Sequence, residues 1–181
     1  VTGFTGPTGA TGITGATGPN FLSNGFSATR TPTTSSSSTQ LTGWSTASPF
    51  YPGTGFDPTG GNYTVPVTGR YSIEATISYS TTASLSVSLG SSVTPAFVIQ
   101  RTSPVSTVLV TGLFPVLDFN IALLLTLRAI LGSATITMVG EYQLNAGDVI
   151  GIYYVANGLS VNLNLGGAAA NVSTWAIHQM A

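Results

Sequence analysis

The sequence predicts an all-β protein, an antiparallel sandwich or jelly roll of short strands, behind a short segment suited to join other chains. Three observations predict it. Apolar and polar residues alternate in run after run, the period of a strand with one buried face. Turn signals separate the runs, and no long segment carries a 3.6-residue period. Glycine recurs at every third position from Gly3 to Gly18.

Residues 1–20 form the first expected domain. Gly3, Gly6, Gly9, Gly12, Gly15 and Gly18 stand in strict register. That is the requirement of a collagen triple helix, in which only glycine fits at the crowded axis. Pro7 and Pro19 follow glycines, while Thr5, Thr8, Thr11, Thr14 and Thr17 precede them. These threonines would point outward, where they hydrate the rod or carry O-linked sugars. A rod this short and poor in proline needs something to hold three chains in register. The chain starts without Met and in mid-pattern. We therefore expect a longer protein whose preceding segment reaches an anchoring partner.

Residues 21–181 form the second expected domain, with "FLSNG" (21–25) as the junction. "RYSIEATISY" sets Tyr71, Ile73, Ala75, Ile77 and Tyr79 against Ser72, Glu74, Thr76 and Ser78. "SLSVSLG" sets Leu85, Val87 and Leu89 against serines, and "LSVNLNLGG" sets Leu159, Val161, Leu163 and Leu165 against Ser160, Asn162 and Asn164. "NYTVPV", "AFVIQRT", "ATITMVGEYQL", "DVIGIYYV" and "STWAIHQM" are further strands. The turns fall at "DPTGGN", "VTG", "NAGD", "ANG" and "GG". The low-complexity stretch 29–43 reads as a long surface loop.

One run breaks the alternation. "FNIALLLTLRAIL" (119–131) is apolar on both faces. A transmembrane span is interrupted by Gly112, Pro115, Asp118 and Arg128. A buried helix remains an alternative. A strand buried on both faces fits better and needs a second cover, which neighbouring subunits around a shared axis supply. Ile121, Leu123, Leu125, Leu127 and Arg128 are therefore the expected trimer interface. Arg128 has three readings: an ion pair with Glu74, Asp118 or Glu141, a solvated strand end, or anion binding at the axis.

Composition narrows the function. Charged residues make up 5% of the chain, against roughly 25% in ordinary soluble domains. A net charge of −1 and four arginines without lysine cannot neutralise a run of phosphates, so nucleic acid is not an expected partner. Nor is a membrane. The absence of cysteine excludes disulfides and thiolate metal sites. The single histidine, His178, has only Asp148 or Asp57 as plausible orienters for a serine nucleophile, and no Gly-x-Ser-x-Gly elbow occurs. We expect no enzyme, no metal and no cofactor. Asn62-Tyr-Thr64 and Asn171-Val-Ser173 match the N-glycosylation pattern and are read as coincidence. Trp44, Phe50, Tyr51 and Phe56 either stack on sugar rings or seal the sandwich base, and the second reading is preferred.

Several motifs resemble those of a known family. "GFSATRT" (25–31), "FDPTGGNYTVPVTGRYSIEATISY" (56–79), "LNAGDVIGIYY" (144–154) and "STWAIHQM" (173–180) are similar, in this order, to strands and turns of complement-type (C-one-q) and tumour-necrosis-factor-like heads. With the Gly-X-Thr repeat before them, the chain resembles the collagen-like spore-surface (exosporium) glycoproteins of Bacillus-type spore formers. The resemblance implies a jelly roll of about ten antiparallel strands, a homotrimer formed through one sheet, and a place on the outermost spore layer. It implies a structural filament tip. A head that binds a host ligand or surface glycan, as an adhesin or lectin, is the alternative.

Overall fold

A computed structural model describes residues 2–4, 6, 9, 12, 24–81, 89–121, 125–166 and 173–180. Among these, fifteen strands occur and no helix. They are β1 (Gly25–Arg30), β2 (Thr33–Ser35), β3 (Thr39–Gln40), β4 (Trp44–Ser45), β5 (Phe56–Asp57), β6 (Asn62–Thr64), β7 (Gly69–Thr81) and β8 (Ala96–Ser103). They continue as β9 (Thr107–Leu113), β10 (Val116–Ile121), β11 (Leu125–Ile130), β12 (Ser133–Leu144), β13 (Val149–Val155), β14 (Leu163–Leu165) and β15 (Thr174–Gln179). The count exceeds ten because β2 to β6 and β14 are fragments of two or three residues along the rims.

Two antiparallel sheets make the sandwich. The first has seven strands in the order β2-β14-β7-β15-β1-β4, with β12 also on β7. The second has six, in the order β5-β6-β13-β8-β9, with β3 also on β13. Strand β7 anchors the first sheet. Its thirteen residues pair with β12 from Gly69↔Leu144 to Ser80↔Ser133. Its other edge takes β15 along Tyr71–Thr76 and then β14 along Tyr79–Thr81.

The alternation in β7 is realised as expected: Tyr71, Ile73, Ala75, Ile77 and Tyr79 are all buried. They meet Phe97, Ile99, Ile150, Ile152 and Tyr154 of the second sheet in one apolar core. Each large side chain buried here contributes roughly 1.5–3 kcal/mol. Trp175 lies at the centre of an aromatic cluster, with Phe26 edge-on at 4.9 Å and Phe56 edge-on at 5.4 Å. Phe26 and Phe56 stack at 3.6 Å.

Three expectations need correction. Residues 119–131 are not one strand. Strands β10 and β11 form an antiparallel hairpin, in register from Val116↔Ile130 to Ile121↔Leu125, as a separate two-stranded sheet. Between Ile121 and Leu125 the sequence holds no Gly, Pro, Asn or Asp to signal a turn. Nor is 29–43 a plain loop. Within it β2 pairs with β14 and β3 with β13, so it laces the two sheets along one rim. In "LSVNLNLGG" only Leu163–Leu165 is strand. The expected strand at 84–90 falls mainly outside the described residues, as do residues 122–124.

Candidate functional site

The junction end of the head is tightly tied. Asn24 donates its side-chain amide to Gln179 Oε1 at 2.6 Å, and the Tyr63 hydroxyl donates to Asn24 O at 3.2 Å. Gly25 opens β1 directly opposite His178. A Cβ at Gly25 would stand 2.5 Å from Ile177 O, so glycine lets the first strand lie close on the last. The Met180 amide donates to Arg70 O at 2.8 Å. The start and end of the head thus share one end of the sandwich, beside the first residues of β7.

The aromatics quoted above divide. Trp44 is buried and packs on Trp175 at 5.4 Å, with its indole N–H donated to Leu41 O at 2.8 Å. Phe56 is half-buried in the cluster around Trp175. These two seal the core and offer no platform for sugar rings. Tyr51 is 40% exposed, and its hydroxyl lies 3.2 Å from His178 Nδ1.

Among the described residues, His178 meets the Tyr51 hydroxyl and no catalytic arrangement. Asp148 is buried and spent in its turn, accepting from the Asn145 amide at 3.0 Å and facing Arg101 at 3.5 Å. Asp57 accepts from the amides of Thr59 and Gly60 at 3.0 and 3.1 Å, capping its own turn. Among the described residues, no group of three His, Cys, Asp or Glu could hold a metal ion. No helix of the described residues is long and apolar enough to cross a membrane. Asn62 lies within β6 and its side chain accepts from Gln40 at 2.8 Å, an unsuitable posture for a glycan acceptor. Asn171 lies outside the described residues.

Of the expected interface residues, Leu123 lies outside the described residues, and Ile121 and Leu125 are placed by backbone register alone. Leu127 and Arg128 are half-buried. Arg128 pairs within its own chain. Its Nη1 donates to Gly90 O at 2.6 Å and Val93 O at 2.7 Å, and its Nε lies 3.6 Å from Asp118 Oδ2. This ties β11 to the turn before β8. A cavity of about 230 Å³ opens beside it, lined by Thr94, Pro95, Leu113, Phe114, Val116 and Arg128. With two Nη1 donors committed to carbonyls, Arg128 presents this cavity mainly with its packed stem.

The cation that sequence reasoning missed is Arg30. It is buried, and among the described residues no carboxylate pairs with it. Its guanidinium donates to Leu165 O at 2.8 Å, Thr33 Oγ1 at 2.7 Å and Thr42 O at 3.1 Å, and lies 6.0 Å from the Trp44 ring centre. Burial lowers its pKa to about 10. Two carbonyls, a hydroxyl and a ring face replace the acid that a sequence search would seek.

No protein-family model matches the sequence, and no curated protein matches it. Solved structures do match the fold. Murine APRIL aligns at a TM-score of 0.55 and 13% identity, covering 86% of this chain and 98% of that one. Eiger TNF from S. frugiperda aligns at 0.57 and 16%, covering 87% and 92%. The globular domain of zebrafish complement 1qA aligns at 0.50 and 15%, covering 87% and 98%. At these identities the likeness concerns architecture: the head has the jelly-roll fold of the tumour-necrosis-factor and complement globular domains.

Proposed function

We propose that this chain is the distal end of a collagen-like filament on the outermost layer of a bacterial spore. A short triple-helical stalk carries a head that trimerises, starts the triple helix and caps it. The chain acts as a structural protein without catalysis, and an anchoring partner holds the filament to the spore.

The observation that carries this reading is the strict glycine period placed directly before a head of this fold. A Cβ added at Gly3, Gly6, Gly9 or Gly12 would meet nothing within 4 Å. Among the described residues nothing crowds these glycines, whereas the shared axis of three chains would. Joined heads would hold three stalk ends at high effective concentration, so the unfavourable first turns can form.

The stalk is tested by circular dichroism of the full chain. We expect a triple-helical, polyproline-II-like signal that melts cooperatively and is lost in a Gly9→Ala variant, with the β-signal of the head retained. A wild-type chain lacking that signal, or a variant that keeps it unchanged, contradicts the stalk. For the location, antibody against the head should label the outer spore layer; label confined to the cell interior contradicts it.

A further inference from the structure

Two Asn-Gly pairs occur in the chain, Asn24-Gly25 and Asn157-Gly158. Such a pair sets a primary amide beside a backbone nitrogen that no side chain shields. That nitrogen can attack the amide carbon, so each pair is chemically a site of self-modification. The fold treats the two differently.

Asn24-Gly25 is locked. Asn24 is half-buried and donates its side-chain amide to Gln179 Oε1 at 2.6 Å, while its carbonyl accepts from the Tyr63 hydroxyl at 3.2 Å. Gly25 is buried as the first residue of β1, opposite His178. Bringing its nitrogen onto the Asn24 side chain requires β1 to leave β15. Asn157-Gly158 is built the other way. Both residues are exposed. They are the central residues of a turn closed by the Leu159 amide on Ala156 O at 2.9 Å. Asn157 has φ 41° and Gly158 φ 88°, the left-handed pair that such a turn demands and that Asn-Gly meets best. Among the described residues no acceptor takes the Gly158 N–H. The Asn157 side-chain amide donates to Thr94 O at 3.3 Å and to Thr94 Oγ1, and its carbonyl accepts from the Thr94 amide at 3.4 Å. Opening this turn breaks no strand pairing, and local openings of that kind cost the least.

We infer that Asn157 is a site of spontaneous conversion to aspartate and isoaspartate, and that conversion releases the segment anchoring the hairpin β10–β11. The Gly158 nitrogen attacks Asn157 Cγ and the bond from Cγ to Nδ2 breaks. The Gly158 proton passes through solvent to the departing nitrogen, and ammonia leaves a cyclic succinimide. Water then opens the ring at either carbonyl. The product carboxylate has no N–H for Thr94 O and sets a negative charge against that carbonyl. Isoaspartate also lengthens the backbone within a tight turn. Thr94 follows directly on Val93, whose carbonyl, with Gly90 O, receives Arg128 Nη1. Residues 90–95 are thus clamped between Asn157 and Arg128, and the chemistry removes one jaw. The head then carries a slow record of its age, an added negative charge and a loosened hairpin on an intact sandwich. None of this depends on the filament reading.

The test is to age the folded full chain in mildly alkaline buffer beside a sample in denaturant. Peptide mass spectrometry maps both Asn-Gly pairs, and enzymatic methylation reads isoaspartate. In the folded chain Asn157 should convert at least about tenfold faster than Asn24, because only Asn24 waits on the release of a strand. In denaturant the two rates should converge. A folded chain in which Asn157 converts no faster than Asn24, or stays intact while the denatured chain converts, overturns the site. Hydrogen exchange on Asn157→Asp, with circular dichroism checking the fold, tests the release. Amides of residues 90–95 and 125–130 should exchange faster than in the wild type, with those of β7 unchanged. Asn157→Gly keeps the turn but lacks the amide, and should show the same acceleration. Unchanged protection of residues 90–95 in both variants overturns the release, and so does a loss of protection that extends through β7.

Discussion

Tyr79 and Tyr154 bury their hydroxyls with no hydrogen-bond partner among the described residues, whereas the Tyr71 hydroxyl donates to Val67 O at 2.7 Å. Desolvation raises the pKa of Tyr79 and of Tyr154 from 10.0 to about 12. Below pH 10 folded and unfolded chains both keep the phenolic protons. Between 10 and 12 the unfolded chain loses them first, so stability falls as pH rises. Arg30 acts in the opposite sense, since burial lowers its folded pKa to about 10, below that of a solvated guanidinium, and the unfolded chain holds that proton longer. The tyrosines win: two move up as far as stated, and burial also raises Tyr63, Tyr71, Tyr142 and Tyr153. We predict a denaturation midpoint that drops between pH 10 and 12. Tyr79→Phe and Tyr154→Phe should change stability at pH 7 by less than about 1 kcal/mol, or raise it, and should flatten the alkaline drop. A clear loss at pH 7 would mean that each hydroxyl has a partner. Tyr79 was legible as a core residue from alternation alone. Arg30 was not, because its compensation comes from backbone carbonyls and a ring face, which leave no acidic residue in the sequence to find.

At the scale of elements, strict alternation made β7 readable, since its partners on both edges only reinforce a period that is local. The hairpin β10–β11 was unreadable for the converse reason. The sequence between its strands offers no turn signal, and an unbroken apolar run reads the same whether it continues or folds back. The rim strands β2 and β3 were hidden by serine and threonine, whose strand state is set by β14 and β13 rather than by their own pattern. What holds the hairpin in place is a cation with two carbonyl acceptors rather than its ion pair. The Asp118 side chain is 65% exposed, and Arg128 Nη1 binds Gly90 O and Val93 O at short range. Arg128→Ala should therefore destabilise the chain by about 1.5–3 kcal/mol. Asp118→Asn should cost less than about 0.5 kcal/mol, as for an exposed pair. Chemical denaturation of both variants checks the ranking, and equal losses would show that the ion pair is what matters.

For the whole molecule, the jelly-roll expectation holds and the shortage of charge has a structural counterpart. Six of ten ionisable groups have hydrogen-bond or ion-pair partners within the head, with Asp57 and Asp118 still exposed, and the other four lie on one face of one sheet. Elsewhere exposed apolar side chains such as Val105, Val108 and Leu113 stand among hydroxyls and amides, which favours contact with like surfaces over long-range repulsion. Composition pointed to such contact, but the gathering of Arg70, Glu74, Glu141 and His178 was not legible, because it depends on pairing between strands far apart in sequence. The measurement that bears most directly on all of this is the molar mass of the full chain in dilute solution, by light scattering across a concentration series. The account predicts three chain masses, constant over the series. A single chain mass from a folded β-protein at every concentration would contradict it.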